Sequence, residues 1–551
     1  MVNCRVLIRG CPGLVVSMLA ATSAFGQVAS TEAIDTQTNW EIRREATTNS
    51  HVLETLHHLT DVYGPRLSGS PNLEAAGRWA VAQMEAWGLS GGALEPFDFG
   101  HPGWLNERLS AHLVAPVKDS LVAEALAWTP GTDGVVRGEA YHMTFPRMGS
   151  TPSSPELEAH LGLHRGKLAG KIVLVGEHQR VSVTHVDPPT RRDETALRRQ
   201  LATPPAPPRR PRAVDSSDGD EGDDDEDEEE DEEDENAPLG RRAVEERVAS
   251  FLKESGALVR VNDAGRDHGQ IRAFHNRTYD VAKVVPTVVM RNEDYGRISR
   301  LLEYGAGPVE LEFDILNKTY PDGTTVHNAV AEIPGSDLAD QVIMLGGHLD
   351  SWHAATGATD NAFGVTVMME AVRILRAIGA TPRRTVRVAL WGGEEQGLLG
   401  SQAYVKEHFG SPEEPTADYE KFGGYFNVDS GTGRLRAAQV FGPAEAADVL
   451  RDALAPFADL GVIGAQHTYS RRRRGSDHTS FNEMGLPGIS MWQDPIEYGT
   501  HTWHTNLDTY ERVIEQDAIA AAIVVAAAVH HLANRDELLP RFDSESMPAA
   551  P

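Results

Sequence analysis

The sequence predicts an α/β fold: a mainly parallel central sheet flanked by helices, with a smaller β-rich domain inserted into it. Three observations predict this. From Val326 to about Arg541, strand-like runs alternate with long helical ones, the order of a parallel sheet covered on both faces. Between about Ala115 and Tyr320 short β-branched runs dominate instead. The chain's 551 residues, 40% hydrophobic and 24% charged, are ordinary globular material for two to four domains at roughly 100–200 residues each.

The elements follow in order. Residues 1–26 read as an export signal: Arg5 and Arg9 precede an apolar run from Leu14 to Ala21, and Ala24 and Gly26 offer a cleavage site before Gln27. That run is well short of the roughly 20 residues that span a bilayer, and no other stretch reads as a membrane span. Residues 27–114 form the N-terminal part of the main domain. Here Val52, Leu53, Leu56, Leu59 and Val62 recur at helical spacing, as does a run from Leu73 to Trp87, with the turn-rich Gly64–Ser70 between them. Residues 115–320 form the insert, with strands at Lys171–Val175, Val284–Met290 and Val309–Phe313 and helices at Ala243–Ser255 and Asn292–Tyr304. Within it 186–241 is rich in Pro, Arg and then acids, with too few aliphatic residues to offset chain entropy, so a disordered loop is expected. A calcium loop fails there, because Gly222 falls one place early after Asp218 and Asp220. Residues 321–541 carry strands at Gln341–Leu345, Thr385–Trp391, Gly424–Val428 and Gly488–Trp492, and helices at Gly364–Ile378, Pro443–Leu454 and Glu515–Leu532. Residues 542–551 are a tail.

Charge and cysteine content exclude several functions. The net charge is −30, and the 17 acids between Asp215 and Glu235 account for enough of it to leave −13 elsewhere. Nothing resembles the basic face that a nucleic-acid binder needs. Both cysteines, Cys4 and Cys11, lie in the signal segment. An exported mature chain would then have no disulfide, thiolate metal site or cysteine nucleophile.

In an open α/β sheet, ligands bind beyond the carboxyl ends of the strands. His348 and Asp350 follow the 341–345 strand, and Asp360 lies in the loop opening the next helix. Glu394 and Glu395 follow the 385–391 strand, Asp429 ends the 424–428 strand, and His504 precedes the last helix. Acids packed together repel one another unless a cation neutralises them, and mixed imidazole and carboxylate donors suit zinc in an open site. Each piece alone has a plainer reading: a hydrogen-bonded loop histidine, a solvated helix start for Glu394-Glu395, an N-cap for Asp508. Order and placement together favour the metal.

The run GGHLDSW, GATDNAFG, WGGEEQGLLGS, NVDSGTG and HTNLDT, with GPRLSGSPNLE upstream, resembles the co-catalytic zinc exopeptidases of the aminopeptidase/glutamate-carboxypeptidase superfamily. The likeness covers 49–110 and most of 326–540, and the insert loosely resembles a protease-associated domain. The resemblance implies two zinc ions bridged by Asp360, with His348 and Asp429 on one and Glu395 and His504 on the other. It implies Glu394 as general base, Asp350 as the carboxylate orienting His348, and a cis peptide at Asp360–Asn361. Asp477 and His478 lie where relatives approach substrate; the plainer reading is a turn capping the next helix through Ser476. Arg471–Arg474 read either as a guide for a substrate carboxylate or as a solvated loop, and Tyr498, His501 and Trp503 as pocket lining or packing. The expectation is an exported, secreted or periplasmic exopeptidase acting on dipeptides or short peptides with a free N-terminus, with a homodimer implied by the relatives. A broad aminopeptidase shares the same metal site. A non-catalytic binding protein on this fold is disfavoured by the intact ligand set. Asp429-Ser430-Gly431 is not an aspartic-protease site, for no second such triplet occurs.

Overall fold

A computed structural model describes residues 32–144, 152–185, 190–205, 237–305 and 307–550. The signal segment 1–26 and the acidic run within 206–236 lie outside the described residues.

The main sheet has eight strands: β1 (Ser90–Asp98), β2 (Thr325–Ile333), β3 (Leu338–His348), β4 (Arg384–Trp391), β5 (Phe422–Asn427), β6 (Leu435–Phe441), β7 (Ala465–Thr468) and β8 (Gly488–Gln493). They lie in the order β1-β2-β4-β3-β5-β8-β6-β7. The central four, β4-β3-β5-β8, are parallel. Antiparallel pairings join β1 to β2, β2 to β4, and β6 to β8, so the sheet is mixed around a parallel centre.

Side-chain alternation explains why the central strands read as continuous apolar runs. Ile343 and Leu345, Val388 and Leu390, and Phe426 face a core shared with the helices Phe363–Ala377 and Glu515–Asn534. Their neighbours Met344, Ala389, Trp391 and Tyr425 point to the opposite face, against Tyr404, Phe409 and Phe481. Both faces are therefore covered, and polar alternation has no place. The helix Glu515–Asn534 is long and apolar enough to cross a membrane, which the sequence reading did not anticipate. Its apolar residues from Ala518 to Ala533 are largely buried in this core.

A second eight-stranded sheet runs Asp119–Leu121, Gly103–Ala115, Glu310–Tyr320, Val136–Met143, Ile172–Val175, Val259–Asp263, Thr287–Met290 and Ala123–Ala125. The chain passes into it between Asp98 and Gly103, earlier than the expected boundary at 115, because Gly103–Ala115 pairs along its length with Glu310–Tyr320. It returns between Tyr320 and Thr325.

Within 186–241, where the sequence suggests a disordered loop, the described residues 190–205 carry ordered structure. A helix spans Glu194–Ala202, capped by Asp193, whose side chain accepts from the Ala196 N–H, and Leu197 is buried. Just before it, Arg191 pairs with Asp517 (2.6 Å) and Asp494 (3.1 Å), and the Arg192 N–H donates to Asp494 (2.8 Å). Ion pairing with the main domain anchors a segment that lacks the aliphatic content to anchor itself.

Candidate metal centre

The parallel strands deliver the candidate residues to one edge. His348 ends β3, Glu394 and Glu395 follow β4, and Asp429 follows β5. Two three-residue groups result, His348–Asp360–Asp429 and Asp360–Glu395–His504, each with its donor atoms within 4.8 Å of one another. Asp360 belongs to both. Its Oδ1 lies 3.2 Å from His348 Nε2 and its Oδ2 3.3 Å from His504 Nε2. Asp429 Oδ1 stands 3.2 Å from His348 Nε2, and Glu395 Oε2 stands 2.9 Å from His504 Nε2. Glu394 Oε2 is 3.9 Å from His348 Nε2, beside the groups and outside both. The Asp360–Asn361 peptide is cis.

Burial makes this cluster electrostatically costly. Glu394 and Glu395 are pushed well above the ordinary carboxylate range, mainly by burial and also by neighbouring acids, against the opposing pull of His348. Burial pulls His348 down, but the facing Asp429 and Glu394 carboxylates outweigh it and hold the imidazole well above its usual value. Glu395 Oε1 is buried with no hydrogen-bond partner. A donor set of imidazole nitrogens and carboxylate oxygens, short of positive charge, fits two divalent cations.

Around this set, supporting groups act through the backbone. Asp350 was expected to orient His348 with its carboxylate. Its main-chain oxygen meets His348 Nδ1 at 3.0 Å, and its carboxylate oxygen Oδ1 lies 3.7 Å from the same nitrogen. The Asp350 carboxylate accepts from the N–H groups of Glu394 and Glu395 (3.2 Å each) and from Ser68 Oγ (3.1 Å), so it holds the turn bearing both glutamates.

Asp508 is not the N-cap of the following helix. It accepts from the N–H groups of Thr359 (2.6 Å) and Asp360 (3.0 Å), and burial, reinforced by Asp360, pushes it up to about 7. Ser476 does not cap through its hydroxyl either: it donates to Asp429 Oδ2 and accepts from Asn427 Nδ2 (2.7 Å).

Arg66 escaped the sequence reading, hidden among the turn formers of Gly64–Ser70. It is fully buried and donates to the carbonyls of Leu349 (2.6 Å), Leu59 (2.6 Å), Thr356 (2.8 Å) and Gly357 (3.0 Å). Burial pulls its pKa down to about 10, against the opposing pull of Asp508, Asp350, Asp360 and Glu395. An arginine inside a run of turn residues was the available signal.

The remaining candidates divide. Asp477 is fully buried, and burial pushes it up to about 8, so its side chain is not presented on a surface. His478 is pulled down to about 4 by burial. Arg471 is buried, donating to the Glu483 carbonyl and to Pro548 O (3.0 Å), and Arg473 donates to Gln402 (2.7 Å); Arg471 is thus structural rather than part of a solvated loop. Trp503 lies with its ring centroid 4.3 Å from that of His504, and Tyr498 packs on Gly431.

Comparison with known proteins places this geometry. Residues 328–529 match Peptidase family M28. The chain is 27% identical over 490 residues to carboxypeptidase Q of Mus musculus, spanning 89% of this chain and 87% of that protein. A peptidase M28 precursor from Shewanella amazonensis shares the fold, with a TM-score of 0.61 at 23% identity, covering 92% of this chain and 99% of that one. A zinc aminopeptidase from Bacillus subtilis shares it at a TM-score of 0.50 and 17% identity, over 90% of this chain and 97% of the other.

Proposed function

We propose that this chain, whose residues 328–529 match Peptidase family M28, is an exported zinc-dependent exopeptidase that hydrolyses dipeptides or short peptides with a free N-terminus. The observation that carries the reading is the pair of donor groups sharing Asp360. His348 and Asp429 would hold one zinc, Glu395 and His504 the other, with Asp360 between them. Held there, zinc would supply the positive charge that lowers the pKa of a water and polarises a carbonyl.

The chain's own residues supply the rest. Glu394 sits beside the donor groups without belonging to either, so its carboxylate is available to take a proton at Oε2 and return it to the leaving amine. Asp350 keeps Glu394 in place by accepting from its N–H, and the same carboxylate fixes Glu395. Asp508 fixes the backbone of Asp360 by accepting from its N–H. Export by the segment 1–26 and a protease-associated character for the insert belong to the same proposal.

The test is hydrolysis of matched dipeptides with free and acetylated N-termini, before and after chelation and zinc add-back. Activity on free dipeptides, lost on chelation and restored by zinc, is expected. Glu394→Gln should retain zinc and lose roughly 100- to 10,000-fold in kcat. Near-normal turnover in that variant would remove Glu394 from the mechanism. Equal removal of the first residue from longer peptides would move the assignment to a broad aminopeptidase.

A further inference from the structure

In sequence, the segment 190–202 lies between the strands Ile172–Val175 and Val259–Asp263 of the second sheet, yet it docks on the main domain. What it touches is the base of the loop that carries His504. Arg192 Nε donates to the Gln493 carbonyl (2.8 Å), and the Ile496 N–H donates to the Thr190 carbonyl (3.1 Å). Arg191 Nη1 and the Arg192 N–H donate to Asp494 (3.1 and 2.8 Å). Both Nη atoms of Arg191 also reach Asp517 (2.6 and 3.2 Å), in the first turn of the buried helix Glu515–Asn534. One guanidinium thus joins the loop base to the core, and its two carboxylate partners are buried, where salt screens them little.

The loop needs such a hold. Ile496, Glu497 and His504 have φ of 23°, 61° and 59°, the left-handed region that favours glycine, and Ile496 is β-branched. Conformations of this kind persist only where the surroundings over-determine them. Beyond Ile496 the loop is knit to itself: the N–H groups of Tyr498, His501 and Trp503 donate to the carbonyls of Pro495 (2.7 Å), Glu497 (2.8 Å) and Tyr498 (2.9 Å). A shift at the base therefore carries along the loop to His504. The far end is fastened separately, by the Asn506 N–H on the Ile271 carbonyl (2.9 Å) and by Thr359 Oγ1 on Thr502 Oγ1 (2.9 Å). Losing the base should weaken the site without dismantling it.

We propose that Arg191 is a positioning residue for the zinc held by Glu395 and His504, acting through Asp494 at the base of the loop. This rests on the two-zinc reading above. Asp494 has other cationic partners, Arg436 (2.8 Å) and Arg434 (3.3 Å), and Asp517 also accepts from the Arg434 N–H (3.0 Å). Removing Arg191 leaves neither buried carboxylate without a donor, so it undocks the segment and spares the core. His348 and Asp429 are delivered by β3 and β5, and the zinc they hold serves as the internal reference.

The experiment titrates zinc into chelated full-length wild type, Arg191→Met and Arg191→Lys in competition with a chromophoric chelator, and repeats Arg191→Met in a His504→Ala background. Wild type should bind two zinc ions. Arg191→Met should bind one of them roughly 10-fold more weakly and the other unchanged. Hydrolysis lost at limiting zinc should return at saturating zinc, and Arg191→Lys should recover part of the affinity. In the His504→Ala background, which lacks the affected site, Arg191→Met should change nothing. A merely structural role would weaken both ions together and act in both backgrounds. Equal weakening of both ions, no weakening of either, or the same loss with and without His504 would each overturn the role of Arg191 and leave the two-zinc reading intact. Wild type that binds fewer than two zinc ions would overturn that reading, and this proposal with it.

Discussion

Arg66 shows how a single side chain can organise a metal centre it does not enter. Four carbonyl oxygens converge on its guanidinium: two beside the centre in the 356–357 turn, one following His348, and one in the N-terminal helical segment. Three of these bonds are buried and the one to Thr356 is half-buried, so removing the donor leaves buried acceptors unsatisfied, and such groups cost roughly 1–3 kcal/mol apiece. Arg66→Met should therefore destabilise the fold by about 3 kcal/mol or more, read as a lowered urea midpoint at unchanged m-value. It should also weaken zinc binding, because the 356–360 turn that presents Asp360 loses its anchor. A variant with wild-type stability and zinc affinity would show that the four carbonyls find other donors. Asp508 holds the same turn by accepting from the N–H groups of Thr359 and Asp360. The turn that presents the Asp360 carboxylate to two imidazoles is thus held at the carbonyls of Thr356 and Gly357 and at the N–H groups of Thr359 and Asp360.

At the scale of elements, the two sheets meet through side-chain clamps. His353 follows β3 and bonds through Nε2 to the Ala125 carbonyl (2.6 Å) in the second sheet, so the neutral Nε2–H tautomer donates. Its ring lies edge-on to Trp104, with centroids 5.1 Å apart, and Trp104 donates to the Thr129 carbonyl (3.0 Å). Burial pulls the His353 pKa down from 6.5 to about 4. The unfolded chain therefore takes up a proton below about pH 6.5 that the folded chain refuses until about pH 4. Stability is lost as pH falls through that window, by up to about 3 kcal/mol from this residue. His353→Gln keeps a donor and removes the titration. Its stability difference between pH 7 and pH 5, measured metal-free by denaturant unfolding beside wild type, should be smaller by roughly 2 kcal/mol. An unchanged difference would mean that His353 protonates in place.

For the whole molecule, the cost of assembling buried acids links metal to stability. Glu394, Glu395 and Asp508 are held above their ordinary range mainly because burial disfavours their charge. Cations bound to the folded chain and not to the unfolded one relieve that cost and add RT ln(1 + [L]/Kd), about 2.7 kcal/mol at a hundredfold excess over Kd. Zinc should raise the melting temperature of chelated protein, and Asp360→Asn, which removes the shared donor, should suppress most of that rise. Equal melting of zinc-loaded and chelated wild type would contradict a metal site at these residues.

The sequence alone located the four parallel strands at the centre of the main sheet, three of its helices and the residues at those strand ends, but not the strands Thr325–Ile333, Leu435–Phe441 and Ala465–Thr468 or the helices Leu399–Phe409 and His478–Met484. Apolar periodicity is a local property, and each candidate ligand lies close to the strand or helix that delivers it. His348, Asp360, Glu394, Glu395, Asp429 and His504 were legible for that reason. The tertiary structure decided what depends on distant partners. Gly103–Ala115 joins the second sheet because Glu310–Tyr320 supplies its ladder, and no window around residue 103 contains that strand. The helix Glu194–Ala202 is anchored next to the main domain because Arg191 finds Asp494 and Asp517 some 300 residues away. Arg66 and Asp508 resemble ordinary loop residues in the chain. Their roles come from the backbone carbonyls and N–H groups that folding sets around them, and those partners lie on other elements.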